Sequence, residues 1–243
     1  MKPLSPRQIS IIKAIVEEYT STGEAVGSDT LDKKFNLGVS PATIRNEMVR
    51  LEDLGYLKQP HTSAGRVPTP IALKLYVSEL MREETLPVTE EVSVKERIWD
   101  HRAQLGELLR ESTHVLSEKT GNIGFATTSD GIIYSSGYAN LLNLPEFYDI
   151  DVMRQVLSIV ESSSAMETIF GKVVDTQPLH IILGDEFGNE YLYPCAMAYI
   201  DFRAGKLSGH VGVLVPARLN YPYVMPMLRH MSSLLDEISA SWN

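Results

Sequence analysis

The 243-residue sequence predicts an α+β chain that begins with a winged helix-turn-helix, and three observations carry that reading. Helical stretches with clear start and stop signals precede two strand-like pieces around a polar loop at the N-terminal end. Beyond residue 120, apolar strand-like runs alternate with helical ones, the pattern of a sheet flanked by helices. Between them lies "REETLPVTEEVSVKE", polar, acidic and interrupted by Pro87, which reads as a linker. The expected organisation is residues 1–81 for the winged helix, 82–120 for the linker and a long amphipathic helix, and 121–243 for the sheet domain.

The first helix is signalled by "SPRQISIIKAIVEEYTSTG": Ser5 as cap, Pro6 at the first helical position, apolar residues at Ile9, Ile12, Ile15, Val16 and Tyr19, and a stop at Gly23. Ser28 is placed to cap a short helix through about Lys34, with Leu31 and Phe35 turned towards the core. The clearest helix is "SPATIRNEMVRLEDLG", capped by Ser40, opened by Pro41, striped by Ile44, Met48 and Leu51, and ended at Gly55. The segment "YLKQPHTSAGRVPT" then supplies the strand, loop and strand of a wing, with Gly65 letting the backbone turn, and "IALKLYVSELM" adds a helix.

A single long helix is expected from about Val94 to Lys119, with Ile98, Leu105, Leu109 and Leu116 at helical spacing, and it is suited to pairing with a copy of itself. Strands follow at "NIGFATTS", "GIIYSSG", "LHIILGDE", "LYPCAMAYID" and "SGHVGVLVP", with helices at "DVMRQVLSIVESS" and "YPYVMPMLRHMSSLLDEIS". The Asp185, Glu186 and Glu190 cluster in "GDEFGNE" reads as a hairpin turn around Gly188 and Asn189, not as a paired acid and base.

Composition narrows the function classes. One cysteine rules out an intramolecular disulfide, the N-terminus lacks an apolar leader core, and no run approaches the apolar length of a membrane span, so a cytoplasmic protein is expected. The net charge of −9 hides an asymmetry: residues 1–81 hold 10 Lys/Arg and 9 Asp/Glu, the remainder 12 and 22. The six histidines are scattered and match no metal motif; Cys195 sits in an apolar run and reads as a core thiol. His210 in its strand, and Tyr221, Tyr223, Met225 and Met227 at the last helix, read as structural residues. No catalysis, cofactor or metal is expected.

In a helix-turn-helix the second helix enters the major groove by its N-terminal residues. With Ile44, Met48 and Leu51 facing inward, Arg45 and Asn46 are the base-reading candidates, because Arg matches guanine O6/N7 and Asn matches adenine N6/N7 bidentately. Ser40 and Thr43 suit a phosphate at the helix N-terminus, and Arg50 flanks them. Ser28 and Thr30 on the bracing helix, and Lys58, His61, Thr62, Ser63 and Arg66 in the wing, complete the DNA-binding set as sugar-phosphate or minor-groove contacts. The residues alone also allow a solvated surface, a small-molecule-sensing regulator, or a winged-helix protein-interaction module.

The strings "TGEAVGSDTL" and "VSPATIRNEMVRLEDLGYLKQPHTSAGRVPT" closely resemble the HrcA family of heat-inducible transcription repressors, as do "GYANLLNLPEF" and "GHVGVLVPARLNYPYVMPMLRHM" further on. The resemblance implies a homodimeric repressor of chaperone genes that binds double-stranded DNA at a CIRCE-type inverted repeat, with the GroE chaperonin as co-regulator. It also implies that the sheet domain is GAF-like, and truncated: only "GNIGFATTSDGIIYSS" stands where the family usually carries an inserted dimerisation domain. After the wing the family commonly has Gly-Tyr-Arg where this chain has Ala72, Leu73 and Lys74. The long helix and the truncated domain are then expected to supply the dimer contacts.

Overall fold

The computed structural model describes residues 3–173, 177–205 and 207–240. Contacts divide the chain into two compact units, Met1–Arg82 and Glu83–Asn243.

The N-terminal unit holds helices α1 (Pro6–Thr22), α2 (Ser28–Phe35) and α3 (Pro41–Asp53), a ribbon of β1 (Leu57–Lys58) and β2 (Val67–Pro68), and α4 (Pro70–Leu75), which runs on as a wider π-turn over Tyr76–Leu80. Ser5 and Gln8 close a capping box on α1, and Gly23 ends the helix in the left-handed conformation. At the end of α3, Tyr56 N–H donates to Leu51 O and Gly55 N–H to Glu52 O, with Gly55 at φ 81°, so the orphan carbonyls of the last turn are satisfied. Ile11, Ile12, Ile15, Val16, Leu31, Ile44, Leu51 and Leu73 fill the core between these helices. Ser28 is the first residue of α2 and buried; Gly27 holds the cap position, so the expected Ser28 cap is not made.

Arg66 and Val26 exchange two backbone hydrogen bonds of 2.9 Å, so a piece of chain ahead of α2 lies along the ribbon. A Cβ on Gly65 would stand 2.3 Å from Val26 O. Close strand approach, and not turn conformation, is what requires glycine at that position.

In the second unit, α5 (Val88–Asp100) and α6 (Leu105–Thr120) precede five antiparallel strands, ordered β4-β3-β7-β6-β5, in which β3 is Ile123–Thr128, β4 Ile133–Ser136, β5 Leu179–Leu183, β6 Cys195–Ala204 and β7 Leu207–Pro216. Helices α7 (Ile150–Val160) and α8 (Ser163–Phe170) lie between β4 and β5, and α9 (Tyr221–Ala240) follows β7. Together α6 and α9 cover one face, where a Cβ on Gly124 would meet Thr113 O at 2.3 Å and the Thr113 and Ser136 hydroxyls bond at 2.8 Å. On the other face Ile123, Phe125, Met197, Tyr199 and Leu214 pack with Val156, Ile159, Met166 and Ile169 of α7 and α8.

The expected single helix over 94–119 is two helices. The chain breaks at residues 101–104, with Gln104 extended, and Arg97 of α5 pairs with Glu111 and Glu118 of α6 at 2.6 and 2.7 Å. A continuous rod would leave Val94 and Ile98 without a core; the break lets both bury fully. The seven-residue step from Ile98 to Leu105 happens to run through the turn, so the spacing alone could not reveal it. In the same way, "GDEFGNE" is not a tight hairpin: two single-turn 3-10 helices, Gly184–Phe187 and Glu190–Leu192, join β5 to β6.

Cys195 is buried in the core, and burial pushes its thiol up to about 12. Tyr221, Met225 and Met227 are buried as well, whereas the Tyr223 hydroxyl donates to Glu90 at 2.8 Å. Among the described residues no helix is long and apolar enough to cross a membrane.

Candidate nucleic-acid interface

Helix α3 owes its exposed face to what it buries. Ile44, Met48 and Leu51 fix one side against α1 and α2, which leaves Arg45, Asn46, Val49 and Arg50 outward. Ser40 accepts from Thr43 N–H at 3.3 Å, and its hydroxyl lies 3.0 Å from the Thr43 hydroxyl, so these two groups form the N-terminal rim of the helix. Arg45 and Asn46 follow within the first helical turns, both exposed. This arrangement places a forked cation donor and an amide side by side on a rigid element.

The loop between β1 and β2 is stiffer than its composition suggests. The Gln59 amide nitrogen donates to Thr62 O and Ala64 O, each at 3.0 Å, and ties the loop from inside. Glu52 of α3 holds its base: one oxygen accepts from Arg66 Nε at 2.8 Å, the other from Gln59 N–H at 3.2 Å. His61, Thr62 and Ser63 form the exposed tip, with Ser63 Oγ 3.5 Å from His61 Nδ1; Lys58 is exposed on β1.

The predicted set therefore divides. A cleft of about 440 Å³ brings together Ser28 from α2, Arg45 from α3 and Thr62, Ser63 and Arg66 from the ribbon. Arg66 is largely buried and already occupied by Glu52, so its first role is to fix the ribbon to α3, and it is not the freely reaching loop donor expected above. Buried Ser28 likewise lines the cleft, while Thr30, two residues along α2, is half-buried.

Reasoning from the sequence missed a second cationic site. Glu47, inward on α3 and buried, accepts from Gln8 Nε2 at 3.1 Å and from Arg50 at 2.9 Å, and Arg7 of α1 lies 4.0 Å from the same carboxylate. Gln8 is the partner of the Ser5 cap in the capping box of α1, so one carboxylate links that cap to two outward guanidinium groups. The signal was present in the Ser-Pro-Arg-Gln start, but nothing local connects Arg7 to a residue 40 positions on.

The molecule is thus an α+β protein that joins a small helical unit, bearing a capped and exposed polar helix, to a larger antiparallel-sheet unit. It belongs to the HrcA family: residues 72–225, more than half of the chain, match the family described as HrcA protein C terminal domain. The heat-inducible transcription repressor HrcA of Symbiobacterium thermophilum is 27% identical over 337 positions, covering 97% of this chain and 99% of that protein. The protein of the same name from Clostridioides difficile is 46% identical over 125 residues, 51% of this chain and 37% of its own length. In the first alignment 97% of 243 residues is about 236, so about 100 of the 337 positions have no counterpart here. A crystal structure of a hypothetical protein at 2.2 Å resolution shares the fold, with a TM-score of 0.78 and 17% identity over 99% of this chain and 100% of its own.

Proposed function

We propose that this chain is a sequence-specific DNA-binding transcriptional repressor of heat-shock genes, acting through a winged helix-turn-helix formed by its first 81 residues. The observation that carries the reading is α3: it is capped by Ser40, anchored by a buried stripe, and exposes Arg45 and Asn46 beside a braced ribbon tip. Arg45 and Asn46 read base edges in the major groove; Ser40, Thr43 and Arg50 take phosphates; Lys58, His61, Thr62 and Ser63 contact the backbone beside the groove. Arg66, Ser28 and Thr30 support these elements, and Arg7 joins Arg50 as a second phosphate contact through their shared Glu47. The relatives' shared name, heat-inducible transcription repressor, supports the same assignment.

The partner is double-stranded DNA carrying a CIRCE-type inverted repeat, bound by a homodimer, because a palindromic site mirrors a two-fold axis. Residues 121–243 form a shortened GAF-like domain, and residues 82–120 link the two parts. The GroE chaperonin is the co-regulator that family membership suggests. Because α5 and α6 are separate helices, no single long helix over 94–119 is there to pair with a copy of itself.

Fluorescence anisotropy tests this with a labelled inverted repeat and a scrambled control, across salt concentrations. Two chains per repeat, a steep salt dependence and preference for the repeat are expected. Arg45→Ala is expected to cost about 1–3 kcal/mol on the repeat and to relax base preference, while Arg66→Ala weakens both duplexes alike. Equal loss on both duplexes for Arg45→Ala contradicts base reading, and salt-insensitive binding contradicts the DNA role itself.

A further inference from the structure

The sheet face that packs on α7 and α8 changes character at one end. Reading across the strands, the row Ile123, Leu214, Met197, Ile182 is apolar, and the row Phe125, Gly212, Tyr199, His180 is aromatic. The next row is polar: Thr127 stands opposite His210, which stands opposite Asp201. Eight-residue α8 covers this row only in part: Thr127 is buried and Phe170 reaches His210, while Asp201 is exposed. A cavity of about 320 Å³ opens over it, walled by Glu167 and Phe170 of α8 on one side and the β3–β4 turn on the other.

The lining of that cavity sets carboxylates at Asp201 and Glu167 among hydroxyls at Thr127, Ser129, Ser163 and Ser208. His210 Nδ1 donates to Asp201 Oδ1 at 2.8 Å, and that bond leaves His210 Nε2 as a lone pair when the ring is neutral. Burial holds the His210 imidazole below its usual pKa, against the pull of Asp201, so the neutral ring prevails near pH 7. Among the described residues no donor bonds Asp201 Oδ2, and Glu167 makes no ion pair. The Phe170 ring lies 4.2 Å from the His210 ring, tilted by 48° to it, and brings an aromatic side chain to one wall. Arg203 stands at the exposed mouth, so two carboxylates face one guanidinium.

A concave site of this size, apolar on one wall with a few convergent polar groups on the other, is the form small-ligand sites take. Two carboxylates and a histidine lone pair against one guanidinium leave an excess of negative charge beside an aromatic side chain, which favours a planar, donor-bearing cation, because charge-assisted hydrogen bonds and cation–π attraction then act on one group. We infer that the cavity over Thr127, His210 and Asp201 binds a small planar amidine, guanidine or amino-substituted heterocycle, with Asp201 and Glu167 taking its N–H groups and Phe170 its ring. The inference does not rest on the DNA-binding reading.

The probe pair is benzamidine and benzoate, which share a ring and differ in the sign of charge. Titration of the whole chain, followed by amide chemical shifts and melting temperature, is expected to show benzamidine binding with shifts confined to the cavity residues, and benzoate at least about tenfold weaker. Asp201→Asn keeps an oxygen for His210 but removes the charge, and is expected to weaken benzamidine about tenfold; Glu167→Gln, exposed on α8, gives a second reading where the first variant melts early. No benzamidine binding, equal binding of benzoate, or unchanged affinity in a folded Asp201→Asn or Glu167→Gln variant overturns the inference.

Discussion

The two units solve opposite problems. In Met1–Arg82 the informative side chains point outward: α3 buries a narrow stripe and presents Arg45, Asn46 and Arg50, and carboxylates at Glu47 and Glu52 hold neighbouring cations in place. In Glu83–Asn243 they point inward, because β3, β6 and β7 alternate between a face under α6 and α9 and a face under α7 and α8, both largely apolar. Charge follows the same division, near balance in residues 1–81 and a ten-charge acidic excess beyond them. A surface meant for phosphates must keep cations available, and a buried sheet has no such need. On the proposed function, the acid-rich second unit would be repelled by a duplex, which favours contact through the first unit.

Breaking the sheet core should give the largest effect. Phe125→Ala removes a fully buried ring from the α7–α8 face and is expected to cost about 3–5 kcal/mol, measured by denaturant unfolding. Repeat-over-scrambled preference should persist at temperatures where the variant stays folded; loss of preference there would make base reading depend on the second unit. Next comes the ribbon. Gly65→Ala drives a methyl into Val26 O and is expected to cost about 1–3 kcal/mol, lowering affinity for repeat and scrambled DNA together. An unchanged melting curve would show that the Val26–Arg66 pairing is dispensable.

The smallest effect concerns pH and sharpens the contrast in how charges are treated. His210 has its pKa lowered by burial, so the unfolded chain takes up a proton first as pH falls. Its contribution to stability is complete above the unfolded value of about 6.5 and is lost progressively as pH drops through the lower folded value. Melting temperature should therefore decline as pH falls below about 6.5, and His210→Gln should flatten that decline. An identical slope in the variant would assign the acid sensitivity to other groups.

Much of the fold was legible in the sequence where the signals are local. Ser5 with Pro6 and Gln8, Ser40 with Pro41, and the Gly55 stop mark helices because caps and terminal glycines act within four residues of the chain. The β-rich runs of the second unit were visible because both faces of β6 and β7 are covered, which leaves long apolar stretches. Helix α8 was missed, although Ser162 accepts from Ala165 N–H at 3.3 Å and caps it. The candidate site was half legible. Exposed positions on α3 follow from periodicity, but the anchoring of Arg66 by Glu52 and the joining of Arg7 to Arg50 through Glu47 do not.

What the sequence determined by itself is the set of helices with strong ends, the outward face of α3, the burial of Cys195 and the uneven distribution of charge, since each depends on neighbours within a turn or on composition. Tertiary structure alone decided that α5 and α6 fold back on each other, that Gly65 must clear Val26, that Glu47 and Glu52 organise the cations, and that Thr127, His210 and Asp201 share one polar row. Those outcomes depend on contacts between residues far apart in the chain, and no spacing rule encodes which distant carboxylate or carbonyl a side chain will meet.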